Sequence, residues 1–94
     1  MTRVVNIAKE SFDVYIGRPG KGLHSIWGNP FVIGKDGTRA EVIAKYKEYI
    51  ISNPVLMNML PTLKGKTLGC FCKPQACHGD VLVQLLEATN FIKF

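Results

Sequence analysis

The sequence contains no long apolar run. None of its segments approaches the roughly 18 consecutive apolar residues that a membrane-spanning helix needs. Its first segment also lacks the apolar stretch of a secretory signal peptide. These absences argue against a membrane-spanning or secreted protein, so we expect a cytoplasmic protein with no membrane partner.

Acidic residues are also few, because seven Asp and Glu stand against twelve Lys and Arg, for a net charge of +5 and a pI near 9.3. A positive balance favours anionic partners such as nucleotides or nucleic acid. The basic residues are scattered along the chain rather than concentrated on one element. Direct binding of DNA or RNA is therefore the weaker expectation.

Cysteine is scarce as well. The only three, Cys70, Cys72 and Cys77, lie within eight positions of one another. An odd number of closely spaced cysteines does not suit the disulfide framework of small secreted proteins. Metal binding, thiol chemistry and plain packing all remain open for these residues.

Internal repeats and low-complexity tracts are absent, which predicts a single domain over residues 1–94. Thr38 and Glu41 have the spacing of a capping box, so a helix should begin there. Apolar periodicity, glycine and proline predict strands at 4–7, 13–17 and 66–72, a loop at 18–37 with an extended piece at 31–33, helices at 38–52 and 55–60, and a last helix beginning at 79–80 or slightly earlier.

This order of elements predicts a small α/β domain with a mostly parallel sheet of three to four strands flanked by helices. Ligands of such open sheets bind beyond the carboxyl ends of the strands. In this chain those ends are Gly17-Arg18 and Cys72-Lys73. The unusual residues of the sequence lie near them, so we expect the functional site there.

The first motif comprises Gly17 and Arg18 together with the segment Trp27-Gly28-Asn29-Pro30-Phe31. Its tryptophan ring could stack on a base, or it could anchor the loop as a buried hydrophobic side chain. Arg18 at a strand end suits a bidentate contact with phosphate or carboxylate, with a surface salt bridge as the alternative.

The second motif runs from Cys70 to Asp80 and allows three interpretations. Cys70, Cys72, Cys77 and His78 match the ligand set of a Cys₃His zinc site, although the spacing lacks a Cys-x-x-Cys pair. Alternatively, Cys77 and His78 lie at the positive end of the last helix, where they could bind an anion or act as nucleophile and base. In the third interpretation the cysteines are packed hydrophobes, Asp80 is an N-cap and His78 bonds a loop carbonyl.

The motifs Trp27-Gly28-Asn29-Pro30-Phe31, Cys70-Phe71-Cys72-Lys73-Pro74 and Cys77-His78-Gly79-Asp80 resemble a family of small phage and bacterial proteins classed as a domain of unknown function (DUF4326). The resemblance covers almost the whole chain. It implies a small Rossmann-like α/β domain of phage or bacterial origin, with the motif residues in one pocket and no settled activity. Phe71 stands where similar proteins often carry tryptophan. The Cys-His pair at a helix start is also similar to small Rossmann-like families that bind nucleotides or nucleosides, which is an analogy of fold.

Our first hypothesis is a site for a nucleotide, a nucleoside or a nucleotide-derived signal, which the protein sequesters or hydrolyses. Arg18, Arg39 and Lys73 would hold anionic groups. If the site hydrolyses its ligand, His78 and Asp80 are the acid and base candidates and Cys77 is the nucleophile. The expected ligand-binding residues are Gly17, Arg18, Trp27, Gly28, Asn29, Pro30, Phe31, Arg39, Cys72, Lys73, His78, Gly79 and Asp80.

The alternative hypothesis is an interaction module, stabilised by zinc or by packed thiols, that binds a protein partner or nucleic acid. The first hypothesis needs no cofactor, whereas this one takes Zn²⁺ on Cys70, Cys72, Cys77 and His78. In either case the aromatic C-terminal segment 90–94 could be buried in a homodimer. If a phage encodes the protein, its expected location is the host cytoplasm.

Overall fold

Three short parallel strands form the centre of the computed structural model, which describes residues 2–18, 22–23, 25–73 and 75–91. They are β1 (Arg3–Asn6), β2 (Val14–Tyr15) and β3 (Thr67–Cys70), and their order in the sheet is β1-β3-β2. The α/β class and the parallel sheet predicted from the sequence are confirmed. Because Tyr15 pairs with Gly69, the carboxyl ends of β2 and β3 lie side by side.

The strand β3 is shorter than the predicted 66–72. The side chain of Asn6 causes the early end, because its Nδ2 donates to the carbonyl oxygens of Phe71 at 3.3 Å and Lys73 at 2.8 Å. These contacts take the place of ladder hydrogen bonds. The chain therefore leaves the sheet after Cys70, and Phe71 and Cys72 belong to the following loop.

The segments before the first helix also differ from the prediction. β2 covers two of the five predicted positions, since the Tyr15 hydroxyl donates to the carbonyl of Arg18 and the chain turns there. The predicted extended piece at 31–33 is not a continuous strand. Ile33 forms an isolated bridge with Gly37 across a turn at 34–36, and the Val32 amide donates to the Asp36 carboxylate at 2.7 Å.

The first helix, α1 (Arg39–Ile51), has the predicted capping box at its start. The Thr38 hydroxyl accepts from the Glu41 amide at 3.2 Å, and the Glu41 carboxylate accepts from the Thr38 amide at 2.8 Å. These reciprocal bonds satisfy backbone donors that the helix start leaves without partners. The helix buries Val42, Tyr46 and Ile50 at the predicted spacing.

Two further helices complete the described chain. α2 (Pro54–Met59) is capped by Asn53 and continues into a 3₁₀ turn at Leu60–Leu63, one residue away from the predicted bounds of 55–60. α3 (His78–Phe91) begins directly after Cys77, within the predicted range for its start. The side chains of segment 90–94, and with them the expected dimer contact, lie outside the described residues.

The hydrophobic core lies between the sheet and the helices. It includes Leu68 of β3, Tyr46 of α1 and Leu82 of α3, each completely buried. On the opposite face of β3, a Cβ at Gly69 would lie 2.6 Å from Ile7 and from Phe12, so the segment after β1 packs against this face. Within the described ranges, no helix is both long enough and apolar enough to cross a bilayer.

The capping box predicts a measurable contribution to stability. Replacing Thr38 by Ala removes the hydroxyl that accepts from Glu41, so the free energy of unfolding should fall by about 1 kcal/mol. Thr38→Ser retains the hydroxyl and is the matched control. Urea unfolding followed by circular dichroism measures both variants, and equal stability of Thr38→Ala and wild type would contradict this role.

Candidate functional site

A cavity of about 550 Å³ lies at the carboxyl ends of β2 and β3. Its other walls are the starts of α1 and α3 and the loop around Phe31. This volume is in the ~300–1,000 Å³ range of small-molecule sites. Among the residues predicted to bind a ligand, those that line it are Gly17, Arg18, Asn29, Phe31, Arg39, Cys72 and His78.

Arg18 connects the end of β2 to the loop that follows it. Its Nε donates to the carbonyl of Asn29 at 3.1 Å, and its Nη2 donates to the carbonyl of Phe31 at 2.7 Å. Both partners are backbone groups, so they hold the guanidinium in place without neutralising its charge. The alternative of a surface salt bridge finds no carboxylate partner for Arg18 within the described part of the chain.

Asn29 lies in the cavity wall but directs its polar groups into the protein. It is buried, with Nδ2 donating to the Val42 carbonyl at 3.3 Å and Oδ1 accepting from the Phe31 amide at 2.9 Å. Both ends of the amide are therefore used to attach the loop to α1. Asn29 therefore has a structural role, in place of the polar contact with a ligand that the sequence analysis predicted.

Arg39 is the first residue of α1 and lies across the cavity from β2. Its Nη1 donates to the carbonyl of Ala76 at 3.0 Å, which ties the start of α1 to the loop before α3. The cavity lining includes both Arg39 and Arg18, and it includes no Asp or Glu among the residues described. The cavity therefore carries uncompensated positive charge at a place where two helices also begin.

Trp27 requires a correction. Its side chain is only 4% exposed and belongs to the core cluster rather than to the cavity, and its carbonyl accepts from the Tyr46 hydroxyl at 2.6 Å. The ring therefore anchors the loop and cannot stack on a ligand in the cavity.

Gly28 and Pro30, also predicted to bind a ligand, line a neighbouring surface groove and not the cavity. Position 28 requires glycine, because a Cβ there would lie 2.9 Å from the carbonyl oxygen of Gly17.

Lys73, Asp80 and Gly79 also lie outside the cavity lining. Lys73 Nζ and Asp80 Oδ1 form an ion pair at 2.6 Å, and Asp80 Oδ2 accepts from the Cys77 amide at 3.0 Å. Asp80 is the third residue of α3 and not the N-cap that the third interpretation had predicted; its carboxylate instead accepts from the amide of Cys77, the residue before the helix. Gly79 is buried where a Cβ would lie 2.7 Å from Ile16, so its role is close packing.

His78 joins the start of α3 to the end of β2. The ring is 7% exposed and packs edge-on against Tyr46, with the ring centroids 4.9 Å apart. Nε2 lies 2.6 Å from the carbonyl oxygen of Ile16. A carbonyl can only accept, so Nε2 carries the proton and Nδ1 of the neutral ring presents a lone pair, 3.7 Å from Cys77 Sγ.

The three cysteines form one cluster on the cavity wall. The sulfurs of Cys70 and Cys77 are 2.8 Å apart, and all three sulfurs lie within 4.8 Å of one another. Cys70 and Cys77 are 1% exposed, whereas Cys72 is half-buried and borders the open space. Three thiols in this arrangement are soft ligands of the kind that zinc takes in proteins.

The thiols of this cluster differ in acidity. Hydrogen bonds from Cys70, Cys77 and His78 hold the pKa of Cys72 far below its usual value. Hydrogen bonds to Cys70 and Cys72, together with burial, raise the pKa of Cys77. Cys77, the predicted nucleophile, is thus buried and has a raised pKa, whereas Cys72, whose pKa is lowered, borders the open space of the cavity.

Several cavity residues were not identified as binding residues from the sequence. Phe71 is 57% exposed at the rim, and Val42 and Ile43 appeared only as part of the apolar face of α1. In the sequence, the only sign of these residues was their position near the glycine and cysteine motifs. The apolar residues that line the cavity but were not predicted to bind a ligand are Leu23, Val32, Ile33, Val42, Ile43, Phe71 and Ala76.

Comparisons with known proteins give relatives that come from viruses. The chain is 38% identical over 92 residues to an uncharacterized 12.4 kDa protein in the nrdA-td intergenic region of Enterobacteria phage T4, covering 93% of this chain and 79% of the relative. It is 42% identical over 91 residues to an uncharacterized protein of Acanthamoeba polyphaga mimivirus, covering 83% of this chain and 69% of the relative. No solved structure shows a significant match.

A comparison with family models identifies the family of this chain. The model of the family described as "Domain of unknown function (DUF4326)" matches residues 2–88, a span that includes all three strands and nearly all of α3. The cavity residues and the cysteine cluster lie inside this span. This chain belongs to the DUF4326 family.

Proposed function

We propose that the cavity binds a nucleotide, a nucleoside or a signal derived from a nucleotide. One observation carries the proposal: Arg18 and Arg39 both line the cavity, and its lining in the described chain has no Asp or Glu. Guanidinium groups whose charge is not neutralised suit the oxygens of a phosphate, which they bind through parallel N–H donors. The positive ends of α1 and α3 add to the same field.

The apolar part of the wall supports the same class of ligand. Val42, Ile43 and Leu23 give one side of the cavity a surface that can cover a planar ring. At the rim, the exposed ring of Phe71 can stack on a base. Phe71 thus takes the role that the sequence analysis gave to Trp27.

The contacts of the acid and base candidates favour binding without turnover. Asp80 is engaged by Lys73 and by the Cys77 amide, and Nε2 of His78 is engaged by the Ile16 carbonyl. Asp80 and Nε2 of His78 are therefore occupied within the protein, and Nδ1 of His78 lies 3.7 Å from Cys77 Sγ. We therefore favour sequestration over hydrolysis, a mode in which a small viral protein can withdraw a host signal.

A thermal-shift screen tests the ligand class. The probes are adenosine, AMP, ATP, GTP, ADP-ribose and cyclic dinucleotides, with inorganic phosphate as the control for unspecific anion binding. A probe at 100 times its Kd stabilises the folded protein by about 2.7 kcal/mol, which corresponds to a rise in Tm of roughly 10–20 °C for a chain of this size. Failure of every nucleotide to exceed phosphate would contradict the proposal.

A charge variant tests the site itself. Arg39→Ala should weaken binding of the best nucleotide roughly 10- to 100-fold, because a charge-assisted hydrogen bond contributes about 1.5–3 kcal/mol. Arg3→Ala is the matched control, since Arg3 is exposed on β1 and pairs with Glu10 away from the cavity. Isothermal titration calorimetry measures both variants. Equal loss in the two would point to net charge rather than to this cavity.

The alternative of a zinc-stabilised interaction module rests on a different observation, the proximity of three cysteine sulfurs. That cluster does not identify a protein or nucleic-acid partner. Its metal chemistry is independent of the arginines, and it can be tested separately.

A further inference from the structure

Residues from three consecutive parts of the chain bring four soft or borderline donor groups together. Cys70 ends β3, Cys72 lies in the loop after it, and Cys77 is the residue immediately before α3. Their sulfurs all lie within 4.8 Å of one another. The fourth group, Nδ1 of His78, lies 3.7 Å from Cys77 Sγ.

The spacing of the sulfurs suits a single metal ion. With Zn–S bonds of about 2.3 Å, two sulfurs of a tetrahedral site lie about 3.8 Å apart. The cluster brackets this distance, with a shortest separation of 2.8 Å between Cys70 and Cys77 and an upper limit of 4.8 Å for all pairs. The separations of the three sulfurs are therefore on the scale that one shared ion requires.

The orientation of His78 supports a role as fourth ligand. Histidines that bind metals commonly donate their other ring N–H to a backbone carbonyl or a carboxylate, which selects the tautomer and aims the free nitrogen at the ion. In this chain, Nε2 donates to the Ile16 carbonyl at 2.6 Å. Nδ1 is thereby left as an acceptor on the side of the thiols.

Two hydrogen bonds hold Cys77 in position. The Gly79 amide, in the first turn of α3, donates to Cys77 Sγ at 3.3 Å. Asp80 holds the Cys77 backbone through the bond to its amide. The sulfur is therefore held in position by contacts that do not depend on the metal.

We infer that Cys70, Cys72, Cys77 and His78 bind one thiophilic divalent cation, with Zn²⁺ as the expected ion, at the floor of the cavity. Three thiolates and one imidazole form a closed tetrahedral set, which is typical of structural zinc. The ion would join the end of β3 to the start of α3 and hold the loop between them. This inference goes beyond the proposed ligand binding, which does not require a metal.

Metal analysis of the full chain tests the inference. Protein produced in zinc-supplemented medium and purified under reducing conditions without a chelator should contain zinc at one equivalent per chain by plasma mass spectrometry. Cys72→Ser should lower zinc affinity at least a hundredfold in competition with a chromophoric chelator, since even loss of a group that only orients a ligand costs about 10–100-fold. Cys72 is chosen because it is half-buried, whereas Cys70 and Cys77 are core residues.

Cobalt substitution identifies the ligands. Co²⁺ should give a thiolate-to-metal charge-transfer band and the intense ligand-field bands of a tetrahedral site. His78→Ala should retain the charge-transfer band and shift the ligand-field bands, because only the nitrogen ligand is lost. Unchanged ligand-field bands would remove His78 from the ligand set.

Two results would overturn the metal site: a folded, reduced wild-type chain without zinc and with all thiols free to titrate, or a Cys72→Ser variant with wild-type zinc affinity. Circular dichroism verifies the fold of each variant. Arg39→Ala is the matched control and should retain the zinc while binding the nucleotide roughly 10- to 100-fold more weakly. The failure of the metal site and the failure of the nucleotide site are therefore distinguishable.

Discussion

The candidate site depends on the hydrogen bond between His78 and the carbonyl of Ile16. It spans 62 positions of sequence and joins the first residue of α3 to the end of β2 at 2.6 Å. Because both groups are buried, loss of either partner would leave an unsatisfied polar atom in the core. One contact thus sets the distance between Arg18 on one wall and the cysteine cluster on the other.

The remaining polar contacts of the site form two groups. Arg18 and Arg39 donate to loop carbonyls around the cavity, and Asn29 donates to the Val42 carbonyl of α1. The cysteines and His78 form the floor, with donors turned towards one another rather than towards solvent. The proposed anion site and the proposed metal site therefore rest on different residues of the same cavity.

The elements that depend on local chemistry could be predicted from the sequence. The spacing of Thr38 and Glu41 predicts the start of α1, and the alternation of side-chain direction around Leu68 and Cys70 indicates a buried strand. Contacts between distant residues could not be predicted. Asn6 ends β3 from 65 positions away, Tyr46 anchors the Trp27 loop from 19 positions away, and the pairing of Lys73 with Asp80 removes both from the ligand site. The cysteine cluster was only partly predictable, because the residue types suggested a metal site whereas their spacing lacks a Cys-x-x-Cys pair.

Nitrogen-15 NMR of the imidazole of His78 tests the account most directly. His24 is the other histidine, so a His24→Gln variant assigns the signals. In reduced protein at a pH where the ring is neutral, Nε2 should be protonated and should exchange slowly with water, and Nδ1 should have the shift of an unprotonated nitrogen. On addition of Zn²⁺, the Nδ1 signal should move while Nε2 remains protonated. A ring protonated on Nδ1, or rapid exchange of the Nε2 proton, would contradict the contact with Ile16 and with it the arrangement of the site.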